Sequence, residues 1–226
     1  MKLVITCEHG GNEIPEKHRV LFTDKEILNT HKGYDLGALD VFNFLKPLAT
    51  YLNFSKTSRL FIELNRSLWH KNLFSEFTKN LAISEKEDII NTHYTVYRKE
   101  VKNKIKTLIT TNNTVVHLSI HSFTPILQTK VRNCDIGFLY DSSKPHEKKI
   151  AIQLKAALHS INPKWHVRFN YPYLGKADGF TTYLRKIFTK NYVGIEIEIN
   201  QKFSKNNIMN LQLKEDLYKA ICELKE

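Results

Sequence analysis

Two histidines stand where apolar, strand-like segments would end. His9 follows the apolar residues 3–5 and precedes two glycines, and His121 directly follows the run 115–120. Neutral imidazole is a preferred zinc ligand, and a catalytic zinc site commonly takes three protein ligands and leaves a position for water. A single histidine is more often an ordinary hydrogen-bonded residue, but two at matching strand ends favour a metal site.

A third metal ligand is less well defined. In "HKGYDLGALD", Asp35 stands four residues after His31 where a helix begins, so the two side chains would share a face. Asp35 would serve equally well in the first turn of that helix, where a carboxylate is favoured. Asn12 and Glu13 follow His9 closely, but an amide is a poor zinc donor and Glu13 lies one residue too far for an HxxE pair. These alternatives stay open on spacing alone.

Two acids, Glu196 and Glu198, lie in the apolar segment "GIEIEIN". Side chains alternate along a strand, so both carboxylates point to one face. On a solvated edge strand they would form the polar face, but a covered strand requires partners or a function for them. Glu198 is nearer the carboxyl end, and we expect it to act as a general base toward a metal-activated water.

Basic and polar residues suited to substrate recognition occur in two further segments. "SRLFIELNRSLW" contains Arg59, Asn65 and Arg66. The arginine fork and the neighbouring amide suit a carboxylate, although an isolated arginine is usually part of a surface ion pair. "NYPYLGKADGFTTYLR" places Asp178 and Thr181 in a turn-rich loop before a helix, which is typical of a loop over a site or of a surface turn.

The elements that must position these residues alternate between strand-like and helical segments. Apolar runs predict strands at 2–6, 59–64, 115–120, 135–140 and 192–199, and helical periodicity is found at about 35–52, 84–109, 145–160, 178–190 and 208–225. This alternation predicts an α/β fold, with a mixed, mostly parallel central sheet covered by helices on both faces. Ligands bind outside the carboxyl ends of strands in such sheets, where the polar residues above are found. We expect one domain spanning residues 1–226.

Composition narrows the class of protein. The chain has 42% hydrophobic and 11% aromatic residues, enough for a substantial core, and no run long enough to cross a membrane. We therefore expect a cytoplasmic protein. The net charge of +11 is spread along the chain without a nucleic-acid-binding motif, so it favours a small anionic substrate over nucleic acid. Three separated cysteines indicate neither a disulfide framework nor a cysteine zinc site.

Taken in order, the motifs resemble those of the N-formylglutamate amidohydrolase family. They are "CEHGGNEIP", "HKGYDLGA", "SRLFIELNRS", "HSFTP", "DIGFLYD", "NYPYLGKADGFTT" and "GIEIEIN", and the resemblance covers residues 4 to roughly 203. Each motif alone is weak, whereas the ordered set is specific. The resemblance implies a fold like that of zinc carboxypeptidases, because "LSIHSFTPIL" is similar to the strand bearing their last zinc histidine and "ELNRS" to their carboxylate-binding Asn-Arg element.

The resemblance implies hydrolysis of N-formyl-L-glutamate to formate and glutamate, with one Zn²⁺, or another divalent metal, in each chain. By motif position, His9, Asp35 and His121 become the metal ligands. Glu198 becomes the general base and Arg59 a stabiliser of the oxyanion. The expected substrate-binding residues are Asn65, Arg66, Ser122, Tyr173, Asp178 and Thr181. A zinc amidase or carboxypeptidase for another N-acyl amino acid or peptide is the near alternative, and a metal-free anion-binding module the distant one.

Overall fold

Six of the ten strands form the sheet around which the chain folds. The computed structural model describes residues 1–225. Its strands are β1 (Lys2–Cys7), β2 (Tyr51–Phe54), β3 (Val115–Phe123), β4 (Ile126–Leu127), β5 (Lys130–Val131), β6 (Ile136–Leu139), β7 (Val167–Phe169), β8 (Tyr192–Asn200), β9 (Ser204–Lys205) and β10 (Ile208–Met209). The sheet has the order β2-β1-β3-β8-β6-β7, and only the β6–β8 pairing in it is antiparallel. The prediction of a mixed, mostly parallel sheet is confirmed.

Helices cover both faces of this sheet, as predicted. They are α1 (Ala38–Leu45), α2 (Ile83–Ile89), α3 (Val96–Thr110), α4 (Pro145–Ile161), α5 (Phe180–Ile187) and α6 (Leu211–Cys222). A π-helical stretch, Ile90–Thr95, joins α2 to α3. Short 3-10 helices span Glu16–Leu21, Glu26–Asn29, Lys46–Leu48, Gln201–Phe203 and Glu223–Lys225. Within residues 1–225, none of the helices has the length and apolar character required to cross a membrane.

The two faces of β3 have different characters. Val116, Leu118 and Ile120 point into the core cluster that contains residues of α1, α4 and α6. The intervening side chains His117, Ser119 and His121 are also buried, but on the opposite face. The helices α3 and α5 contribute to the second cluster. The strand therefore carries a line of buried polar groups that ends at its carboxyl terminus.

The predicted strand at 59–64 is wrong. Its apolar side chains are buried in the second core cluster, but the backbone there forms turns, with the Phe61 N–H donating to the Ser58 carbonyl at 2.9 Å. A buried segment of turns has apolar side chains just as a buried strand does, so the two give the same apolar run in the sequence. The edge strand next to β1 is β2, whose first two residues overlap the end of the predicted helix 35–52. The observed helix α1 ends earlier, at Leu45, before a 3-10 turn containing Pro47. Sequence periodicity also missed the short strand β7.

Candidate metal and active site

The carboxyl ends of the three parallel strands β1, β3 and β8 meet beside one cavity. His9 follows β1, and His121 lies near the carboxyl end of β3. Glu198 on β8 is the register partner of His121. The cavity has a volume of about 280 Å³. Its walls are formed by His9, Asp35, Arg59, Asn65, Arg66, His121, Ser122, Tyr173, Leu174, Ala177, Asp178, Glu196 and Glu198. The expected position of the site, outside the carboxyl ends of the strands, agrees with this geometry.

Three side chains at the floor of the cavity converge on one point. One carboxylate oxygen of Asp35, Oδ2, lies 3.3 Å from His9 Nδ1 and 2.8 Å from His121 Nδ1. All three residues are buried, and one ligand atom from each lies within 4.8 Å of the other two. Two imidazoles and a carboxylate are a donor set that Zn²⁺ and similar metals accept. These residues could therefore hold a metal ion.

The position of Asp35 separates the alternatives that spacing left open. Gly37, in a left-handed conformation with φ of 78°, is the residue that caps α1, so Asp35 is not the helix cap. The side chain of Asp35 instead points to the two histidines. His31 is exposed and does not line the cavity, and Asn12 and Glu13 line a different one.

Each imidazole is held from behind by a second carboxylate. His9 Nε2 contacts Glu63 Oε1, and His121 Nε2 lies 3.2 Å from Glu8 Oε2. Glu8 is fully buried and accepts hydrogen bonds from Ser119 and, at 2.8 Å, from the Tyr97 hydroxyl. A carboxylate on the far nitrogen fixes the ring and its tautomer and raises its basicity as a ligand. Both Nδ1 atoms are therefore left to face the point of convergence.

These supporting acids were missed by the sequence reasoning. Side-chain alternation along the strand predicts that Glu8 points away from His9. It does lie outside the cavity wall, where it supports the other histidine. Glu63 was not singled out. The signal for it was available, since it is an acid within the apolar run 60–64. A carboxylate in a buried segment requires a partner of opposite charge or hydrogen-bond donors.

Arg59 connects the two acids on the His9 side. Its Nε and Nη2 atoms donate to Glu63 Oε2 at 3.0 and 2.6 Å, and Nη1 donates to Asp35 Oδ1 at 3.2 Å. The buried carboxylates of Glu8, Asp35 and Glu63 nevertheless outnumber this one arginine. Burial opposes protonation of His121, but hydrogen bonds to Asp35 and Glu8 outweigh it and raise the pKa of the imidazole. This excess negative charge fits a divalent cation.

Glu198 lies in the cavity wall without a hydrogen-bond partner for one oxygen. Its Oε2 atom is buried, and no polar group of residues 1–225 pairs with it. Burial, together with repulsion from Asp35 and Glu196, raises the pKa of Glu198 to about 7. A carboxyl group with such a pKa can exchange a proton near neutral pH. An unpaired buried carboxylate at a cavity surface is suited to act on a ligand.

Asn65 and Arg66, the pair predicted to bind a carboxylate, lie in the segment of turns that begins at residue 59 and not at the end of a strand. The Asn65 amide oxygen accepts a hydrogen bond from the Phe180 N–H at 2.7 Å, and its NH₂ nitrogen lies 3.5 Å from His121 Nε2. Arg66 donates from Nη1 to the Asp178 carbonyl oxygen. The Asp178 side chain accepts from both the N–H and the hydroxyl of Ser67 at 3.0 Å. Asn65, Arg66 and Asp178 all line the cavity.

Of the remaining predicted residues, two reach the cavity and one does not. Ser122 lines it, and its N–H lies 3.4 Å from Asp35 Oδ2. Tyr173 lies at the rim, 45% exposed, with its hydroxyl 3.2 Å from Arg132 Nη1. Thr181 is fully buried and donates its hydroxyl to Glu196 Oε1 at 2.7 Å. Thr181 therefore does not line the cavity itself but contacts Glu196, which does.

Comparison with known protein families identifies a family for this chain. The family model for N-formylglutamate amidohydrolase matches residues 1–204. No match was found among curated protein sequences.

Two solved structures, the first two described below, share the fold. A gene product of Agrobacterium tumefaciens is 23% identical with a TM-score of 0.82, and the match covers 100% of this chain and 92% of that one. An N-formylglutamate amidohydrolase from Ralstonia eutropha is 16% identical with a TM-score of 0.75, and the match covers 99% of this chain and 92% of that one. A metallo-carboxypeptidase from Burkholderia cenocepacia gives a TM-score of 0.39 at 10% identity, over 98% of this chain and 55% of that one.

Proposed function

Because the chain belongs to the N-formylglutamate amidohydrolase family, we propose that it hydrolyses the amide bond of N-formyl-L-glutamate, or of a closely similar N-acyl amino acid, with the help of zinc. The observation that carries this proposal is the convergence of His9, Asp35 and His121 beside the unpaired oxygen of Glu198. A cluster of this kind in a wall with carboxylate-binding groups is expected of a metal-assisted amidohydrolase.

The metal would be held by His9, Asp35 and His121. When bound, it would supply a Lewis acid that polarises the formyl carbonyl and lowers the pKa of water. Glu63 and Glu8 would keep the two imidazoles in place during turnover. Their contacts lie behind the rings, away from the cavity, so substrate has no need to displace them.

Glu198 would move the proton. In the proposed reaction, the water oxygen forms a bond to the formyl carbon while Glu198 accepts a proton at Oε2. The carbon–nitrogen bond then breaks, and the same proton passes from Glu198 to the leaving nitrogen, giving formate and glutamate. The pKa of about 7 suits both steps, because the carboxyl group is close to half-protonated near neutral pH.

Arginine and amide groups would bind the anionic parts of the substrate. Three of the N–H bonds of Arg59 are engaged by Glu63 and Asp35, so two of the five in a guanidinium are free to stabilise the tetrahedral oxyanion. Arg66, with its Nη1 turned to Asp178, and the NH₂ of Asn65 would hold a substrate carboxylate.

The test measures turnover and metal content together. We expect about one zinc per chain, and faster hydrolysis of N-formyl-L-glutamate than of N-acetyl-L-glutamate or N-formyl-L-methionine. Glu198→Gln should retain its zinc and lose about a hundredfold to ten-thousandfold in kcat, as expected for a general base. Glu87→Gln, at an exposed acid of α2, is the matched control. Undiminished turnover in a zinc-loaded Glu198→Gln protein would remove Glu198 from this role.

A further inference from the structure

A second and larger cavity adjoins the metal-site cavity. It has a volume of about 570 Å³ and is formed mainly by the turn segment 59–79. Arg59 and Arg66 belong to the walls of both cavities. The two cavities therefore border each other at these two arginines.

The second cavity is strongly basic. Its wall carries Lys32, Arg59, Arg66, His70, Lys71 and Lys79. The acids there are Glu63, which is paired with Arg59, and Glu76. Among the ion pairs of residues 1–225, none involves the other arginine or the three lysines of this wall. We call this the basic cavity.

Uncompensated cations in a concave surface attract anions more strongly than the same cations on a flat one, because the low-dielectric walls focus the field. Four unpaired cations face one free acid, Glu76, in the basic cavity. The metal-site cavity, at about 280 Å³, is of a size for one small amino acid derivative, whereas ligand sites of 300–1,000 Å³ take larger molecules.

We propose that the basic cavity binds the distal part of a substrate longer and more acidic than N-formylglutamate, namely a short acidic peptide with an N-acylated glutamate at its amino end. This rests on the proposed function. Arg66, at the border, meets a carboxylate of the first residue, and Lys71 and Lys79 meet the carboxylates that follow. The bond that is hydrolysed is still the amide of the acyl group, so the chemistry at the metal is unchanged.

The kinetic test compares substrates that differ only in charge. N-formyl-Glu-Glu-Glu should have a kcat/KM at least fivefold above that of N-formyl-Glu-Gln-Gln for the unaltered protein. The double variant Lys71→Ala/Lys79→Ala should remove that preference, in line with the modest strength of exposed ion pairs, and should change kcat/KM for N-formylglutamate less than twofold. Lys148→Ala/Lys149→Ala removes the same charge from exposed positions on α4 and should preserve the preference. Equal rates for the two peptides would overturn the proposal.

A binding measurement separates this proposal from the proposed function. Fluorescein-labelled tetraglutamate, which has no acyl bond to cleave, should bind the unaltered protein in an anisotropy titration, with an affinity that falls as salt is raised. Binding that is lost in the Lys71→Ala/Lys79→Ala protein supports the basic cavity even if no formylated compound is hydrolysed. If the protein hydrolyses N-formylglutamate but neither prefers the acidic peptide nor binds tetraglutamate, the proposed function stands. The proposal that the basic cavity binds an acidic peptide is then wrong.

Discussion

Two histidines on strand β3, His117 and His121, are four residues apart, point to the same face and are both buried, yet they have opposite environments. His117 contacts two hydroxyl groups, Thr6 Oγ1 at 2.7 Å and the Tyr192 hydroxyl at 2.8 Å. His121 contacts two carboxylates, Asp35 at 2.8 Å and Glu8 at 3.2 Å. Burial lowers the pKa of His117 to about 4, whereas the carboxylates around His121 overcome burial and raise its pKa.

The difference shows what distinguishes a core histidine from a candidate metal ligand in this fold. Neutral hydroxyl partners satisfy both nitrogens of His117 and leave nothing for a ligand. The partners of His121 carry charge, and that charge is balanced only when a proton or a cation is present. The transition occurs within one strand, between its interior and its carboxyl end, where the sheet opens to the cavity.

The largest expected difference in zinc content and turnover is between the variants His121→Gln and His117→Gln. His121→Gln removes a proposed ligand and should reduce zinc content to a small fraction of one per chain, with a loss of about a thousandfold or more in turnover. His117→Gln should retain zinc and turnover within a few fold, because its neighbours need only a polar partner. Elemental analysis and an N-formylglutamate assay on both proteins measure this. Zinc retained in His121→Gln and lost in His117→Gln would invert the comparison.

A smaller contrast comes from the groups behind the two rings. Glu8→Gln keeps the shape of the side chain but removes the charge next to His121 Nε2, and zinc affinity should fall about 10- to 100-fold. Thr6→Val removes the hydroxyl next to His117 Nε2 and should leave zinc affinity unchanged. Competition with a chromophoric chelator gives both affinities. Equal affinities for the two variants would mean that Glu8 does not act through His121.

The sequence predicted which residues meet at the cavity better than it predicted the segments that carry them. His9, His121 and Glu198 follow or end strands whose apolar runs are unmistakable, so their common edge of the sheet could be inferred. Asn65 and Arg66 also reach the cavity, although the strand predicted before them is a set of turns. Motif position indicated a shared site for these two residues, whereas periodicity indicated the wrong element, because an apolar run reports burial and not hydrogen-bonding geometry.

The supporting residues were beyond the same reasoning for a different physical reason. Glu8, Tyr97 and Ser119 are far apart in the chain. Glu8 meets Ser119 because β1 pairs with β3, and it meets Tyr97 because α3 packs on the sheet. No spacing rule encodes such a contact. Thr181, expected to bind substrate, lies at the start of α5, where it is buried and donates its hydroxyl to Glu196.

The smallest expected effect is on how the free energy of unfolding changes as the pH falls. In the unfolded chain His117 titrates near its ordinary pKa of about 6.5, whereas in the folded protein it stays neutral down to about 4. The unfolded state therefore binds the proton first, so the stability associated with neutral His117 is present above pH 6.5 and is lost as the pH falls from 6.5 toward 4. Between pH 7 and pH 5 this amounts to about 2 kcal/mol.

His117→Gln cannot titrate, so its free energy of unfolding should fall less over the same interval than that of the unaltered protein. Urea unfolding at pH 7 and pH 5, with both proteins freed of metal by a chelator, gives the two differences, and the titrations that the proteins share cancel between them. The carboxylates of the candidate metal site affect the free energy of unfolding of the two proteins equally. The difference between the two pH-dependent losses therefore reports the protonation of His117 alone. If both proteins lost the same stability between these pH values, His117 would have to bind a proton in the folded state, and the distinction between the two ends of β3 would lie in geometry and not in charge.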